Sequence, residues 1–339
     1  MDFREIMLSP AYDFLRTHKR LGSHIMLLGI GGSHAYGTNI PGSDVDFRGV
    51  AFQSPSDLLG LTSFEQFMEH ETDTVIFAFN KMMRFLLDGN PSAIELLGLE
   101  EDQYLILNPL GKELLENRRK ILSKKVIYTF GGYAETHLRR LENGLSRNRS
   151  SQPEQEENML KSVKQSLEDF NRKHASSDMG SIRLYVDKAV KPGLEQEVFM
   201  DVSCTHYPLR DYIDLWSPMK SVVNNFEYFS KAGKKKDDGH LNKLAMHAVR
   251  ALMTAIDIVE NGDITTRCTK DLSLLMAIRA GEYMQEDGSY SKEYYEIVKD
   301  YKRKLEEAAK HTSLPNKQDV DWVAAFMEKV NRMVVMGEL

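Results

Sequence analysis

The N-terminal third of the chain carries the hydrophobic patterns of β-strands. Residues 25–30 form a short apolar run, which is typical of a buried strand. Glycines and small polar residues follow in 29–37 and predict a tight turn that leads into a helix. Residues 45–52 alternate like a second strand, and a third strand is predicted over 72–77.

Helical patterns follow these strands. Residues 81–89 predict a helix that stops at its terminal glycine, and 91–98 predict another with proline in its first turn. From Lys112 onward, apolar and charged positions recur mostly at helical spacing. The polar stretches 147–181 and 231–239 are interpreted as exposed connectors.

Length and composition limit the class of protein. With 339 residues the chain exceeds the roughly 250 to 300 at which one core stops growing, so two domains are expected. The net charge of -6 excludes a whole-molecule attraction to phosphate polymers, so any RNA contact requires a local basic surface. Cys204 and Cys268 lack metal-ligand spacing, and neither a secretory signal nor an apolar run long enough to span a membrane is present. A cytoplasmic protein is expected.

The turn after the first predicted strand has the chemistry of a phosphate-binding loop. Glycines 29, 31 and 32 permit a close backbone approach, and Ser33 stands where an N-cap hydroxyl and free N–H groups would face a phosphate. The register of a dinucleotide-binding GxGxxG is not met, and a Walker lysine is missing. By itself this turn is a weak indication of function.

Two acidic residues follow the turn by about a dozen positions. Asp44 and Asp46 stand at the start of the second predicted strand, and side chains two apart in a strand point to the same side. Converging carboxylates repel each other unless a cation lies between them, and hard oxygen ligands suit Mg²⁺ bound to substrate phosphates. A capping Asp44 and a solvated Asp46 are the alternative, but the upstream glycine turn favours a metal site.

In combination, these motifs resemble the DNA polymerase beta nucleotidyltransferase superfamily. The resemblance rests on Gly32, Ser33 and Gly37, then on residues 43–46 and on Gly49 with Val50. More narrowly, the chain resembles a bacterial and phage family of nucleotidyltransferases associated with RNA repair. Three further stretches match that family's pattern, within an overall resemblance over residues 25–285: 89–97, 130–141 and 243–283. Departures are residues 148–212 and His137, where glutamine is expected.

The resemblance implies a third carboxylate on a neighbouring strand. Asp73 is the candidate and Glu71 its rival, while an exposed acid at a strand start is the alternative without function. Glu95 also recurs in the family pattern, but a salt bridge on a helix surface is the interpretation that we prefer for it.

A helix predicted after Gly239 has a marked apolar face. At about 100° per residue, Lys243, His247 and Arg250 align opposite that face, either as a solvated polar surface or as a phosphate-binding ridge at the catalytic cleft. The apolar face comprises Leu241, Leu244, Ala245, Ala248, Leu252, Ala255, Ile256 and Val259.

A basic segment lies between Arg118 and Arg149. Its aromatic residues Tyr128, Phe130 and Tyr133 either stack on RNA bases or belong to amphipathic helices, and the second interpretation is preferred for Phe130. The basic residues are Arg118, Arg119, Lys120, Lys124, Lys125, Arg139, Arg140, Arg147 and Arg149, against the acids Glu135 and Glu142.

We therefore expect an α+β fold with a polymerase-beta-type mixed sheet over residues 1–110 and a mainly helical nucleotide- and acceptor-binding domain over 111–339. The expected reaction transfers a nucleotide from a nucleoside triphosphate, such as ATP, to a hydroxyl of an RNA end. Nucleotidylation of a protein or small molecule and a catalytically silent nucleotide-binding protein are the alternatives.

The expected site follows from the same resemblance. Asp44, Asp46 and Asp73 would bind Mg²⁺ or Mn²⁺. Gly32, Ser33, Lys243, His247 and Arg250 would contact the triphosphate. The base of the nucleotide, the number of additions and the oligomeric state do not follow from the sequence.

Overall fold

The computed structural model describes residues 2–149, 168, 180–188, 190, 196–216, 219–220, 223 and 237–339. It divides into two compact units. The first consists of Met1–Leu141 and Asp238–Leu339, and the second of Glu142–Asp237. Most of the two predicted connectors, 147–181 and 231–239, lies outside the described residues.

A mixed five-stranded sheet lies in the first unit. Its strand order is β3-β4-β2-β1-β5, with β2 and β4 parallel and the other neighbours antiparallel. The strands are β1 (Ile25–Ile30), β2 (Phe47–Ala51), β3 (Gln66–Glu69), β4 (Thr74–Ala78) and β5 (Tyr104–Leu107).

Helices cover much of the remaining described chain. Those that precede residue 150 are α1 (Phe3–Leu8), α2 (Phe14–Thr17), α3 (Gly32–Tyr36), α4 (Pro55–Leu59), α5 (Phe79–Leu87), α6 (Pro91–Leu96), α7 (Pro109–Glu116) and α8 (Lys125–Arg149). Those that follow are α9 (Leu209–Asp214), α10 (Asp238–Asn261), α11 (Leu272–Ala280), α12 (Lys292–His311) and α13 (Val320–Met336).

The interior strand β1 begins and ends where the sequence predicts, and all six of its residues are buried. Because β1 has a neighbour on each side, its residues are paired within the sheet on both edges. Close packing against β2 requires a glycine at position 49, where a Cβ atom would lie 2.7 Å from the backbone oxygen of Leu27. The apolar run of β1 is therefore the centre of the core.

The other strands differ from the prediction at their ends. Strand β2 starts at Phe47, two residues after the expected start, and β4 covers Thr74–Ala78 instead of 72–77. Strand β3 was not predicted, since its four residues are too few to show a period. The two predicted helices 81–89 and 91–98 are confirmed as α5 and α6, with Asn90 capping α6 through its side chain.

The helices after residue 237 build a second part of the same core. All but Ile256 of the predicted apolar face of α10 is buried. Helix α12 packs on α10, and the hydroxyl of Tyr294 donates a hydrogen bond to the carbonyl of Ala245 at 3.1 Å. The predicted α+β fold with a helical C-terminal region is thus confirmed. Within the described residues, no helix is long and apolar enough to cross a membrane.

The second unit contains an antiparallel pair of strands that was not predicted. Strands β6 (Gly180–Lys188) and β7 (Gln196–Cys204) pair along their whole length. A small core forms around Ile182, Leu184 and Leu215. Both strands fall in the segment 148–212 that departs from the family pattern, where the sequence alone offered no assignment.

The domain boundary expected near residue 110 falls inside the first unit. The N-terminal sheet and the helices after residue 237 belong to the same compact unit. A functional division into residues 1–110 and 111–339 stays a prediction.

Two glycine substitutions test the packing of this core. Gly49→Ala in β2 should lower the free energy of unfolding by about 1 to 3 kcal/mol, because the added carbon meets backbone that cannot move aside. Gly131→Ala in α8 has no atom within 4 Å of the added carbon and should raise it by up to about 1 kcal/mol through helix propensity. Urea denaturation measures both, and equal effects of the two substitutions would contradict the packing described here.

Candidate active site

The glycine turn after β1 lies directly against Asp46. The backbone N–H of Gly31 donates a hydrogen bond to the carbonyl of Asp46 at 2.7 Å. Gly32 has a φ of +57°, and a Cβ atom there would lie 1.7 Å from Oδ2 of Asp46. Only glycine therefore allows the carboxylate to rest on the turn.

Ser33 is placed differently from the expectation. The N-cap of α3 is Gly31, which has no side-chain capping bond, and Ser33 is a buried residue in the first turn of the helix. The prediction of Ser33 as an N-cap was wrong, because the helix begins two residues earlier than the glycine pattern indicated.

Asp44 and Asp46 precede β2 instead of lying in it. The strand rule used to bring them together therefore does not apply, and Asp44 is exposed while Asp46 is half-buried. Both carboxylates nevertheless influence the hydroxyl of Tyr12. Burial raises the pKa of Tyr12, and the negative charges of Asp46 and Asp44 raise it further. The hydroxyl of Tyr12 lies 3.3 Å from the carbonyl of Val45, between the two acids in the chain.

Asp73 meets Asp46 through the register of the sheet. In the parallel pair of β2 and β4, Arg48 is opposite Val75, so the residues two positions earlier, Asp46 and Asp73, come to the same edge. Burial raises the pKa of Asp46 to about 6, together with a side-chain hydrogen bond to Asp73 and the negative charge of Asp73. Arg48 and Lys243 act in the opposite direction.

Asp73 itself is exposed, in the turn before β4. Its φ of +45° is unusual for a residue other than glycine. Arg48 holds the turn: its Nη1 donates to the carbonyl of Asp73, and its Nη2 lies 3.6 Å from Oδ1 of Asp73. The rival Glu71 is also exposed, and its backbone N–H donates to the side chain of Glu69.

These acids fit a divalent cation in part. Two carboxylates at one edge of the sheet, such as Asp46 and Asp73, are the ligand type that Mg²⁺ prefers, and a cation would remove their repulsion. In the part of the chain that the structure describes, no group of three or more His, Cys, Asp or Glu is arranged to hold a metal ion. Asp44 would have to join the pair on binding.

A cavity of about 200 Å³ lies beside this carboxylate pair. It is lined by six of the residues predicted for the site: Gly32, Ser33, Asp46, Lys243, His247 and Arg250. A larger open depression of about 440 Å³, lined by residues of α10 and α12 and by Thr312, contains none of them. The smaller cavity, which brings the glycine turn, a carboxylate and the face of α10 together, is the candidate active site.

Arg250 is not part of a solvated face. Only 1% of its side chain is exposed, and its Nη1 donates a hydrogen bond to Oε1 of Glu95 at 2.6 Å. Glu95 is also buried, and its Oε2 accepts a hydrogen bond from the hydroxyl of Tyr36 at 2.7 Å. The guanidinium carbon lies 3.6 Å from the centre of the Tyr36 ring.

The expectation that Glu95 forms a salt bridge on a helix surface was therefore wrong. Helix α10 is buried on its polar side as well as on its apolar face. Glu95 of α6 supplies the negative charge that neutralises Arg250 there. Arg250 lines the cavity, but its charge is already balanced within the protein. Lys243, by contrast, is exposed on the same helix.

His247 enters the cavity as a neutral side chain. Burial lowers its pKa well below the usual value, and the charge of Arg250 lowers it further. His137 lies next to it, with ring centres 5.4 Å apart, and burial lowers the pKa of His137 to about 4. Sequence patterns noted His137 only as a departure from the family and gave no sign of this pair.

The basic segment 118–149 is only partly available for an acceptor. Arg118 and Arg119 both donate hydrogen bonds to Asp263, and Lys125 lies 3.2 Å from Asp88. Phe130 is fully buried, as preferred from the sequence, whereas 78% of Tyr128 is exposed. The exposed basic pair Arg139 and Arg140 remains, while the side chains of Arg147 and Arg149 lie outside the described residues.

A mixed sheet with a glycine turn against an acidic residue, followed by a helical region, defines an α+β protein. Residues 10–167 match the RlaP family model, described as the RNA repair pathway DNA polymerase beta family. The resemblance inferred from the motifs is confirmed over these residues. Comparison with curated proteins and with solved structures gave no match. The family match indicates a polymerase-beta-type nucleotidyltransferase of an RNA repair pathway.

The buried ion pair predicts a large effect on stability. Arg250→Met should lower the free energy of unfolding by about 3 to 5 kcal/mol, because it leaves the Glu95 carboxylate buried without its partner. Arg267→Met, which breaks a half-exposed pair with Glu100, is the matched control and should cost about 1 kcal/mol or less. Adding Glu95→Leu to Arg250→Met should restore part of the loss. Denaturant unfolding measures these free energies. A similarly small loss of stability for both arginine substitutions would contradict the role of the buried pair.

Proposed function

We propose that this protein is a metal-dependent nucleotidyltransferase that moves a nucleotide from a nucleoside triphosphate to a hydroxyl at an RNA end and releases pyrophosphate. The observation that carries the proposal is the position of Asp46 directly against Gly32, with Asp73 at the same edge of the sheet. Two adjacent acids at the end of a cavity with a glycine turn are suited to a cation and a polyphosphate. The family match supports the same reaction class.

Each side chain of the site has a proposed task. Asp44, Asp46 and Asp73 would hold Mg²⁺ or Mn²⁺, which supplies charge neutralisation for the triphosphate and lowers the pKa of an attacking hydroxyl. Gly32 and Ser33, at the start of α3, would contact the β- and γ-phosphates. Their backbone N–H groups lie at a helix start, where an anion is favoured.

The face of α10 would contact the triphosphate from the other side of the cavity. Lys243 would balance negative charge on the leaving pyrophosphate. His247, which is neutral, offers a hydrogen bond and no charge. Arg250 would hold Tyr36 and Glu95 in place and contact substrate through the cavity that it lines.

The reaction follows from these positions. The acceptor oxygen attacks the α-phosphorus, a new P–O bond forms, and the bond from the α-phosphorus to the bridging oxygen of the β-phosphate breaks. The electrons of that bond leave with pyrophosphate, and the hydroxyl proton leaves to solvent or to a carboxylate of the site. Alignment of the two substrates is the main contribution of the protein.

Loss of the acidic pair should abolish the reaction. Asp46→Asn removes a charge from the acidic pair and should lower the rate of metal-dependent pyrophosphate release at least a hundredfold, about 3 kcal/mol of transition-state stabilisation. Asp321→Asn, an exposed acid in the first turn of α13, should leave the rate unchanged. A folded Asp44→Asn/Asp46→Asn variant with the turnover of the unaltered chain would rule out the assignment.

An RNA acceptor predicts a strong dependence of binding on salt. The exposed pair Arg139 and Arg140 on α8 is the candidate contact for the acceptor backbone. Each neutralised phosphate on a single strand adds about 0.7 to the slope of log affinity against log salt. Arg139→Glu/Arg140→Glu should therefore flatten the slope, whereas the adjacent exposed pair on α12, changed to Arg303→Glu/Lys304→Glu, should not.

Labelled triphosphates separate the possible acceptors. Each of the four is offered to a pool of RNAs with 3′-hydroxyl and 5′-phosphate ends, together with total protein and small molecules. The expected result is label on RNA. Label on protein or on small molecules alone would refute the RNA acceptor and leave the nucleotidyltransferase proposal standing, and triphosphate binding without any transfer would refute catalysis.

A further inference from the structure

Arg279 stands out among the charged residues near the site because its guanidinium is incompletely paired. Its Nε and Nη1 atoms are buried and have no hydrogen-bond partner within the described residues. The remaining contact is a long one of 3.5 Å from Nη2 to Oγ of Ser43. A guanidinium carries five N–H donors, and burying them without acceptors is costly.

The position of Arg279 connects it to the candidate active site. It lies in the last turn of α11, and Ser43, its contact, directly precedes Asp44 in the chain. The positive charge of Arg279 also acts on His247, which lines the cavity, and Lys243 acts on the same imidazole. Neither of these two cations is Arg250, whose charge Glu95 balances.

We infer that Arg279, with Ser43, forms a subsite for the polyphosphate of the nucleotide substrate. This inference rests on the proposed function and specifies its phosphate contacts. A phosphate group offers the oxygen acceptors that Nε and Nη1 lack, in the planar two-point geometry for which arginine is suited. The location next to Asp44, a proposed metal ligand, favours phosphates that a metal ion would also contact over those of an acceptor strand.

The effect of replacing Arg279 on stability tests the inference. An arginine that supports the fold is satisfied by the fold, and its removal lowers stability. An arginine that binds an anion is desolvated without compensation when the anion is absent. Its replacement therefore leaves stability unchanged or raises it, while the affinity for the anion falls. Burial lowers the pKa of Arg279, in agreement with such a desolvated cation.

The experiment measures binding of inorganic tripolyphosphate in the presence of Mg²⁺ by calorimetry, and Tm without ligand. Arg279→Gln should bind tripolyphosphate roughly ten- to a hundredfold more weakly, as expected for loss of a charge-assisted contact. Its Tm should equal or exceed that of the unaltered chain. Arg279→Lys keeps the charge but not the planar guanidinium, so its affinity for tripolyphosphate should lie between those of the unaltered chain and Arg279→Gln.

Arg303→Gln is the matched control. It removes one positive charge from an exposed arginine on α12 and should change the affinity less than twofold. Binding of a single-stranded oligonucleotide without triphosphate serves as a second comparison, and Arg279→Gln should leave it unchanged. Together these measurements separate a specific contact from a general change in net charge.

Three results would overturn the inference. Unchanged tripolyphosphate affinity in Arg279→Gln refutes the contact, and a lower Tm in this variant without ligand assigns the side chain to the fold. Weaker oligonucleotide binding with unchanged tripolyphosphate affinity would assign the phosphate to the acceptor. Tripolyphosphate binding that depends on Arg279, in a protein that transfers no nucleotide, would confirm the subsite and refute the proposed reaction.

Discussion

The buried ion pair between Glu95 and Arg250 is the interaction on which the site depends. It joins α6 to α10, and Tyr36 attaches α3 to both by stacking on the guanidinium and donating to the carboxylate. Transfer of two charges from water is expensive, and the short contact compensates for it only while all partners are in place. The hydroxyl of Thr266 also donates to the carbonyl of Glu95. The last residue of the glycine-turn helix is thereby held against the C-terminal helices, although the two are far apart in sequence.

Because of this ion pair, the basic residues of the site differ in whether their positive charge is available to a substrate. Arg250 is paired with Glu95, and burial, with a smaller contribution from the charge of Arg250, lowers the pKa of His247 well below its usual value, so neither is a free positive charge for a substrate. Lys243 is exposed at the cavity, and Arg279 has buried donors without partners in the described chain. In our proposal, the role of phosphate ligand, which the pattern along α10 distributed over three residues, is therefore concentrated in Lys243 and extended to Arg279 of another helix.

The elements that the sequence predicted well are those whose pattern is complete within one segment. The buried run of β1 and the capped helix α6 carry all their information locally, as does the apolar face of α10. The ion pair could not be predicted, because helical periodicity shows which side of α10 is apolar and not which element covers the opposite side. Arg279 lies in the stretch 243–283 that matches the family pattern, but nothing in that stretch singled it out, because a lone arginine in an apolar helix is ordinarily a surface residue. The approach of Asp73 to Asp46 depends on the parallel pairing of β2 with β4, which no local pattern contains.

Two kinds of uncompensated charge remain in the site, and they are opposite in sign. Burial raises the pKa of Asp46 to about 6, and the neighbouring carboxyl group of Asp73 contributes to the same shift. Arg279 is desolvated without acceptors among the described residues. A cation alone would relieve the acids, and an anion alone would relieve the arginine. In the proposed reaction a metal ion bound to a polyphosphate would supply both at once, so the site would be more complementary to the complex than to either component. On this argument metal and nucleotide should favour each other's binding, because each brings the countercharge that the other's ligands lack.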